Sequence, residues 1–408
     1  MYGPQQDSGT AGISSRGNNG QITERDWYAV GPGESGYTIP DPLDPDVVYN
    51  AGPGGNVVRL SKITGQARDI SPAPVSFGSK YRFNWTQFLL KTTDAGTGWQ
   101  AVSPDLTRTR AAEKDSKQVL GTILTIAPSE VKEGLIWVGT NDGNIQLTKD
   151  GGATWQNVTP TGLSEWSTIS IIESSHFEAG VAYAAVNRNS LDDLRPHIFR
   201  TRDFGKSWQE TVNGIRDGDF VRTVREDPVR KGLLYAGTER EVYVSFDSGD
   251  HWQSLRLNMP VVAIHDLAVE QDDLVAATYG RSFWILDDVT PLRQLGVRAA
   301  SSNVHLLAPR NAIRVRRDEN QDTPLPPEVP AGKNPPDGAI LNYFLPANSA
   351  GDVQLEIYDA DEKPVRSFSS APAPEEPKEP EETPFVAKYW IAHPRALSKA
   401  AGMHRFVW

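Results

Sequence analysis

The chain has 408 residues, 38% of them apolar and 9% aromatic, with 35 glycines and 30 prolines, which suits two or three ordinary domains or one large turn-rich repeat array with a smaller appendage. A formal net charge of -11 argues against a general binder of nucleic acid or anionic membrane, since both want a cationic face. The absence of cysteine excludes disulfides, thiolate metal sites and cysteine nucleophiles, and no apolar run approaches the length of a membrane helix.

Residues 1–20 are polar and glycine-rich and lack the basic and apolar regions of a signal peptide. The expectation is a cytoplasmic protein or, preferably, a piece of a longer one. Residues 28–30, 47–49 and 57–61 predict strands, with Pro40, Pro42 and Pro45 making the first connection irregular. Tyr81, Phe83 and Trp85 alternate like one face of a strand, suited to packing between sheets or to stacking on sugar rings.

A repeat then begins. Thr92, Asp94, Gly96 and Trp99 share one frame with Thr148, Asp150, Gly152 and Trp155, with Thr201, Asp203, Gly205 and Trp208, and with Ser245, Asp247, Gly249 and Trp252. Each reads Ser/Thr-x-Asp-x-Gly-x-x-Trp, and successive tryptophans are 56, 53 and 44 residues apart. The carboxylate can accept backbone N–H groups of its own turn, glycine permits positive φ, the hydroxyl adds a second local bond, and tryptophan supplies a large apolar surface at the next strand. These residues are therefore read as structural, with cation binding by the aspartates as the lesser alternative.

The flanks repeat as well. Gly134-Leu-Ile-Trp-Val-Gly-Thr140 resembles Gly232-Leu-Leu-Tyr-Ala-Gly-Thr238, with residues 180–186 between them. Candidate strands precede each (119–127, 168–173, 220–225) and follow each (145–148, 198–201, 242–245). Four strands per unit of about 50 residues predict an all-β chain of β-propeller blades. A solenoid would have shorter rungs, and a jelly roll would not repeat. A further unit lacks the turn motif: 264–269, 274–278 and 283–286 are strands, and 305–308 is expected as its outer one.

The expected organisation is blades over 1–310, about five or six of them and not necessarily a complete set, a Pro-rich linker over 311–338, and, over 339–408, a β segment that is part of a small immunoglobulin- or fibronectin-like sandwich, whole or incomplete, interrupted by a proline- and glutamate-rich insert at 372–384.

At this point the chain resembles the bacterial BNR or Asp-box repeat proteins annotated in the sortilin-like (VPS10-like) and glycosyl-hydrolase-like groups. The resemblance rests on the four turns, Gly36-Tyr37, Asp41-Pro-x-x-Pro-Asp46, Tyr81-Arg-Phe-Asn-Trp85, Ser103-Pro-Asp-Leu-Thr107, His265-Asp-Leu-Ala268 and Gly280-Arg-Ser-Phe-Trp-Ile-Leu-Asp-Asp288. It implies an extracytoplasmic protein and half of a ten-bladed propeller, with self-association or a complementary propeller half covering open blade edges. The turns are shared by sialidases, xyloglucanases and photosystem-assembly proteins, so they imply a fold and not an activity. Three departures stand out: the N-terminal side is short, Trp85 and Thr92 are nearly adjacent, and Tyr279 occupies a position where relatives commonly carry histidine.

The seven histidines are scattered, and there is no His-Glu-x-x-His, Gly-x-Ser-x-Gly elbow or phosphate loop. No catalytic residue, metal site or cofactor is assigned. Six arginines (82, 188, 222, 225, 240, 281) offer material for an anion site, and Glu239 and Glu241 for an acid/base pair. His265, Asp266, Tyr279 and Arg281 are the best candidates for a binding pocket at a channel mouth, with an internal salt-bridge network as the structural alternative. The polar loops at 187–193 and 107–117 are candidate variable binding loops. The functional expectation is a non-catalytic module binding protein or glycan. The alternatives are a glycoside hydrolase acting on polysaccharide in a groove and a structural subunit that pairs with a second copy.

Overall fold

The computed structural model describes residues 1–5, 8–17, 20–31, 36–52, 55–72, 88–108, 121–295, 304–313, 328–371 and 396–408. The Tyr81–Trp85 motif, most of the 107–117 loop and the 372–384 insert lie outside the described residues. Two compact units emerge: 1–287 with 317–334, and 288–316 with 335–408.

In the first unit, sheet 1 comprises Tyr2–Gln5, Gly9–Gly12 and Tyr28–Gly31, and sheet 2 comprises Thr38–Pro40, Val47–Gly52, Asn56–Ser61 and Ala67–Asp69. Sheet 3 is the pair Leu90–Lys91 and Gln100–Ala101. Sheets 4, 5 and 6 are four-stranded meanders: Ile123–Pro128, Ile136–Thr140, Ile145–Thr148 and Gln156–Asn157; Thr168–Ser174, Ala182–Asn187, Ile198–Thr201 and Gln209–Glu210; and Val221–Glu226, Leu234–Thr238, Val242–Ser245 and Gln253–Ser254. Sheet 7 holds Ile264–Glu270, Asp273–Thr278 and Phe283–Leu286. Gln21–Ile22 pairs with Gly332–Lys333 in a separate ladder.

The expected propeller is corrected by this arrangement. The described residues form ten separate antiparallel sheets of two to four strands, and none closes into a barrel or a propeller. Hairpin turns fix strands within a sheet, but they carry no instruction for closing a set of sheets. The last unit also departs from the expectation. His305–Leu306, expected as its outer strand, pairs instead with Ile340–Leu345 in the second unit, so sheet 7 keeps three strands. The half-propeller and its complementary half fall with the same finding.

Neighbouring sheets stack face to face. The first strand of sheet 4 packs on that of sheet 5, the second strand of sheet 5 on sheet 6, and sheet 6 on sheet 7. Trp137, Ile145, Leu147, Ile169 and Ile172 fill the layer between sheets 4 and 5; Tyr183, Ile198, Val224, Leu234 and Trp252 fill the next. Burying each such side chain is worth about 1.5–3 kcal/mol. The glycine repeated in the second strands has a steric cause: a Cβ on Gly139 would lie 2.5 Å from Ile169 Cγ2, and one on Gly237 2.7 Å from Ile264 Cγ2. Residues flanking the strands of sheet 1 also meet sheet 7, with Trp27 stacked on Phe283 at 6.1 Å and Arg16 paired with Asp273 at 3.0 Å.

The four repeated turns share one hydrogen-bond pattern. In the second, Thr148 Oγ1 donates to Asp150 Oδ1 (2.7 Å) and accepts from Gly152 N (2.9 Å), while Thr154 N donates to Asp150 Oδ1 (2.9 Å). Each tryptophan then donates its indole N–H to the sheet before it: Trp99 to Ile70 O, Trp155 to Val102 O, Trp208 to Val158 O and Trp252 to Thr211 O, at 2.7–3.0 Å. The sequence reading credited tryptophan with apolar packing; the structure adds a specific polar clamp between consecutive sheets.

The second unit holds two small sheets among the described residues. His305–Leu306, Ile340–Leu345 and Gly402–Val407 make one sheet, and Gln354–Tyr358 and Pro364–Ser369 a hairpin. Leu341, Tyr343, Leu345 and Phe406 form the core of this unit, against which Leu355, Ile357 and Phe368 pack.

Candidate functional site

The first strands of sheets 4 to 7 each break register at the same place. Pairing skips Leu124, Ser170, Arg222 and His265, one residue in each strand. Such bulges bend a strand and re-aim the extra side chain, and they concentrate beside functional sites. Four consecutive sheets thus present an unpaired residue at an equivalent position.

The sequence candidates gather around the last two bulges. His265 is exposed and stacks on Tyr279, with ring centroids 5.3 Å apart and planes within 18°; Tyr279 is 73% exposed. Burial and then the Arg222 charge push the His265 pKa down, with Glu239 and Asp266 opposing. Arg222 grips Glu239 through Nε (2.7 Å) and Nη2 (2.6 Å). Asp266 accepts from Arg225 Nη2 (2.8 Å) and from the Thr223 hydroxyl (3.0 Å). Arg281 is exposed at the turn before Phe283–Leu286, and no hydrogen bond or ion pair joins it to the other three candidates among the described residues. Its carbonyl accepts from the Trp284 indole at 3.2 Å.

Tyr37, which sequence reading cited only for resemblance, belongs here too. Half of its side chain meets solvent, and its hydroxyl reaches the carbonyl of the bulged Leu124 at 3.5 Å. Burial and the Asp266 charge push its pKa up, with Arg225 opposing.

Behind the bulges runs a charged seam. Arg225 also pairs with Glu173 (3.1 Å), and His176 contacts Glu173 (3.3 Å) and Glu130 (2.9 Å). Glu241 hydrogen-bonds Tyr243 and Ser254, not Glu239, so the two glutamates do not form a pair. In the 187–193 loop Asp193 binds Arg188, Arg195 and His197. The described residues contain no group of three or more His, Asp or Glu side chains set to hold a metal ion, and no helix long and apolar enough to cross a membrane.

No protein-family model matches the chain, and no curated protein matches it. Solved structures give distant, partial likenesses to several different β-sheet proteins. YCF48 from Cyanidioschyzon merolae is 13% identical, over 61% of this chain and 94% of that one, at a TM-score of 0.33. A GH74 enzyme of Niastella koreensis is 13% identical over 60% of this chain and 33% of that one, at 0.35. The extracellular domain of the hybrid two-component system BT4673 from B. thetaiotaomicron is 15% identical over 63% of this chain and 32% of that one, at 0.41.

Proposed function

We propose that the chain binds a glycan on the surface built around the bulged residues Arg222 and His265 and the Tyr279 ring. The observation that carries this reading is the exposed His265–Tyr279 stack beside a register break repeated in four sheets. A flat ring offers an apolar face to a sugar, while Glu239 and Asp266, each 40% exposed, offer acceptors to its hydroxyls. Arg222 and Arg225 are already engaged by carboxylates, which disfavours an anionic ligand. The resemblance of its turn motifs to those of secreted bacterial repeat proteins supports a location outside the cytoplasm.

Glycoside hydrolysis is the second reading, favoured by one observation: two partly exposed carboxylates, Glu239 held by the bulged Arg222 and Asp266 next to the bulged His265, sit at the adjacent sheets 6 and 7. Titration calorimetry against neutral oligosaccharides tests binding. Tyr279→Ala is expected to weaken it about tenfold, roughly 1.4 kcal/mol, with thermal stability kept, and Tyr279→Phe to retain it. Unchanged affinity in the alanine variant refutes the site, and capture of a protein in place of any sugar refutes the ligand class. Release of reducing ends that stops in both Glu239→Gln and Asp266→Asn establishes the hydrolase.

A further inference from the structure

Five residues stand directly after the outer strand of a sheet: Ile70, Val102, Val158, Thr211 and Leu255. Each donates its backbone N–H back across its own sheet. The first four also accept the indole of the next repeated turn, and the glycine of that turn packs on the same residue. A Cβ on Gly96 would lie 2.5 Å from Ile70 Cβ, on Gly152 2.3 Å from Val102 O, on Gly205 2.6 Å from Val158 Cβ and on Gly249 3.0 Å from Thr211 Oγ1. Leu255 is the fifth of the set. It is half-buried, and its carbonyl accepts no hydrogen bond among the described residues.

Sheet 7 is where the tryptophan for Leu255 is due, and its sequence departs at the turn. In the frame that starts at Thr148 in sheet 4 and at Leu286 here, Asp288 keeps the aspartate, but Thr290 stands for glycine and Arg293 for tryptophan. The chain enters the short helix Thr290–Gln294 in place of a fourth strand. The outer edge of Phe283–Leu286 is therefore unpaired among the described residues. By register Phe283 and Ile285 match Ile145 and Leu147 of sheet 4. There Ile145 O accepts from Val158 N and Leu147 pairs with Gln156, whereas Phe283 and Ile285 have no such contacts among the described residues. The edge is Phe-Trp-Ile-Leu, half-buried and uncharged, where free edges are ordinarily guarded by charge, proline or a bulge. Sheets 4 to 6 end instead on exposed polar pairs, Gln156-Asn157, Gln209-Glu210 and Gln253-Ser254.

We propose that sheet 7 takes up one extended strand of a partner polypeptide, antiparallel to Phe283–Leu286, whose tryptophan indole donates to Leu255 O. The segment recognised carries Asp-x-Gly-x-x-Trp-Gln. The chain's own turns are the template for it, since glutamine follows the tryptophan in all four, at 100, 156, 209 and 253. Main-chain hydrogen bonds to the edge give affinity, and the tryptophan with its glycine gives specificity. The same edge of a second copy lacks the pattern, because Arg281 stands three residues before Trp284.

The test uses the whole chain and a fluorescent synthetic peptide with the sequence of residues 148–159, read by anisotropy and by the backbone amide signals of the 15N-labelled protein. Saturable binding is expected, with the amides of Phe283 and Ile285 moving. Trp155→Phe in the peptide should weaken binding about fivefold, and N-methylation of the peptide's Gln156 should abolish it. Ile285→Pro in the protein should abolish it with thermal stability kept, since proline is tolerated where an edge N–H points outward; the two peptide changes decide the matter without touching the fold. Binding that survives N-methylation overturns the proposal. So do shifts confined to Ile145, Ile198 and Val242, which mean that the peptide displaces the chain's own outer strands, and so does an absence of binding at millimolar peptide. A chain that sediments as a dimer and becomes monomeric with Ile285→Pro gives the edge to a second copy and overturns it too.

Discussion

Asp219 is fully buried, and one of its carboxylate oxygens has no hydrogen-bond partner among the described residues. The other accepts from the Thr238 hydroxyl (3.0 Å) and Tyr243 (3.4 Å). Burial pushes its pKa above the usual 3.8, against the Thr238 bond. An acid that holds its proton more tightly when folded contributes stability at low pH and loses it as pH rises through the folded value. Asp219→Asn, which mimics the protonated form, is therefore expected to match or exceed the parent chain near pH 7 and to flatten the curve. Thermal unfolding from about pH 4 to 8 checks this, and a variant less stable at pH 7 contradicts it. The residue was invisible as a site in the sequence because its counterpart moves. In sheet 4 the equivalent Thr140 hydroxyl binds Asp142, and a Cβ on Gly121 would lie 1.9 Å from the same carboxylate. One buried carboxylate reaches the same hydroxyl from two different chain positions, so no alignment of repeats reveals it.

At the scale of the element, the turns are where sequence and structure agree in mechanism. In each, two successive residues adopt positive φ: Ala95 and Gly96, Gly151 and Gly152, Phe204 and Gly205, Ser248 and Gly249. The second position demands glycine for more than its φ. A Cβ on Gly152, at φ +104, would lie 2.3 Å from Val102 O, the carbonyl that Trp155 binds, whereas one on Gly151 meets nothing within 4 Å. Gly152→Ala is thus expected to cost at least about 2 kcal/mol and Gly151→Ala about 1 kcal/mol; equal losses in urea unfolding would refute the docking account. Spacing and turn chemistry made the four-stranded groups of sheets 4 to 6 legible. The bulges were not, because Leu124, Ser170, Arg222 and His265 share no chemistry and a register break leaves no mark in composition. His265 was found only because it is a histidine beside Asp266, and Arg222 was noted without its role.

For the whole molecule, the seam from Glu130 through His176, Glu173 and Arg225 to Asp266 joins sheets 4, 5, 6 and 7. Bonds to Glu173 first and Glu130 next raise the His176 pKa to about 9, against burial. Its contribution is complete below the ordinary 6.5 and disappears as pH rises through about 9. The melting temperature is expected to fall across that interval, and His176→Phe to remove the slope; a parallel slope in the variant would assign it elsewhere. What the repeat did not encode is how the sheets assemble as a set, since each turn speaks only to its neighbour. That neighbour is always upstream: the clamping tryptophans follow their acceptor carbonyls by 29 to 53 residues. On a ribosome, therefore, each of sheets 2 to 5 emerges unfastened and is locked only when the following stretch of chain appears. Maturation advances in the direction of synthesis, and a stalled chain carries its newest sheet loose.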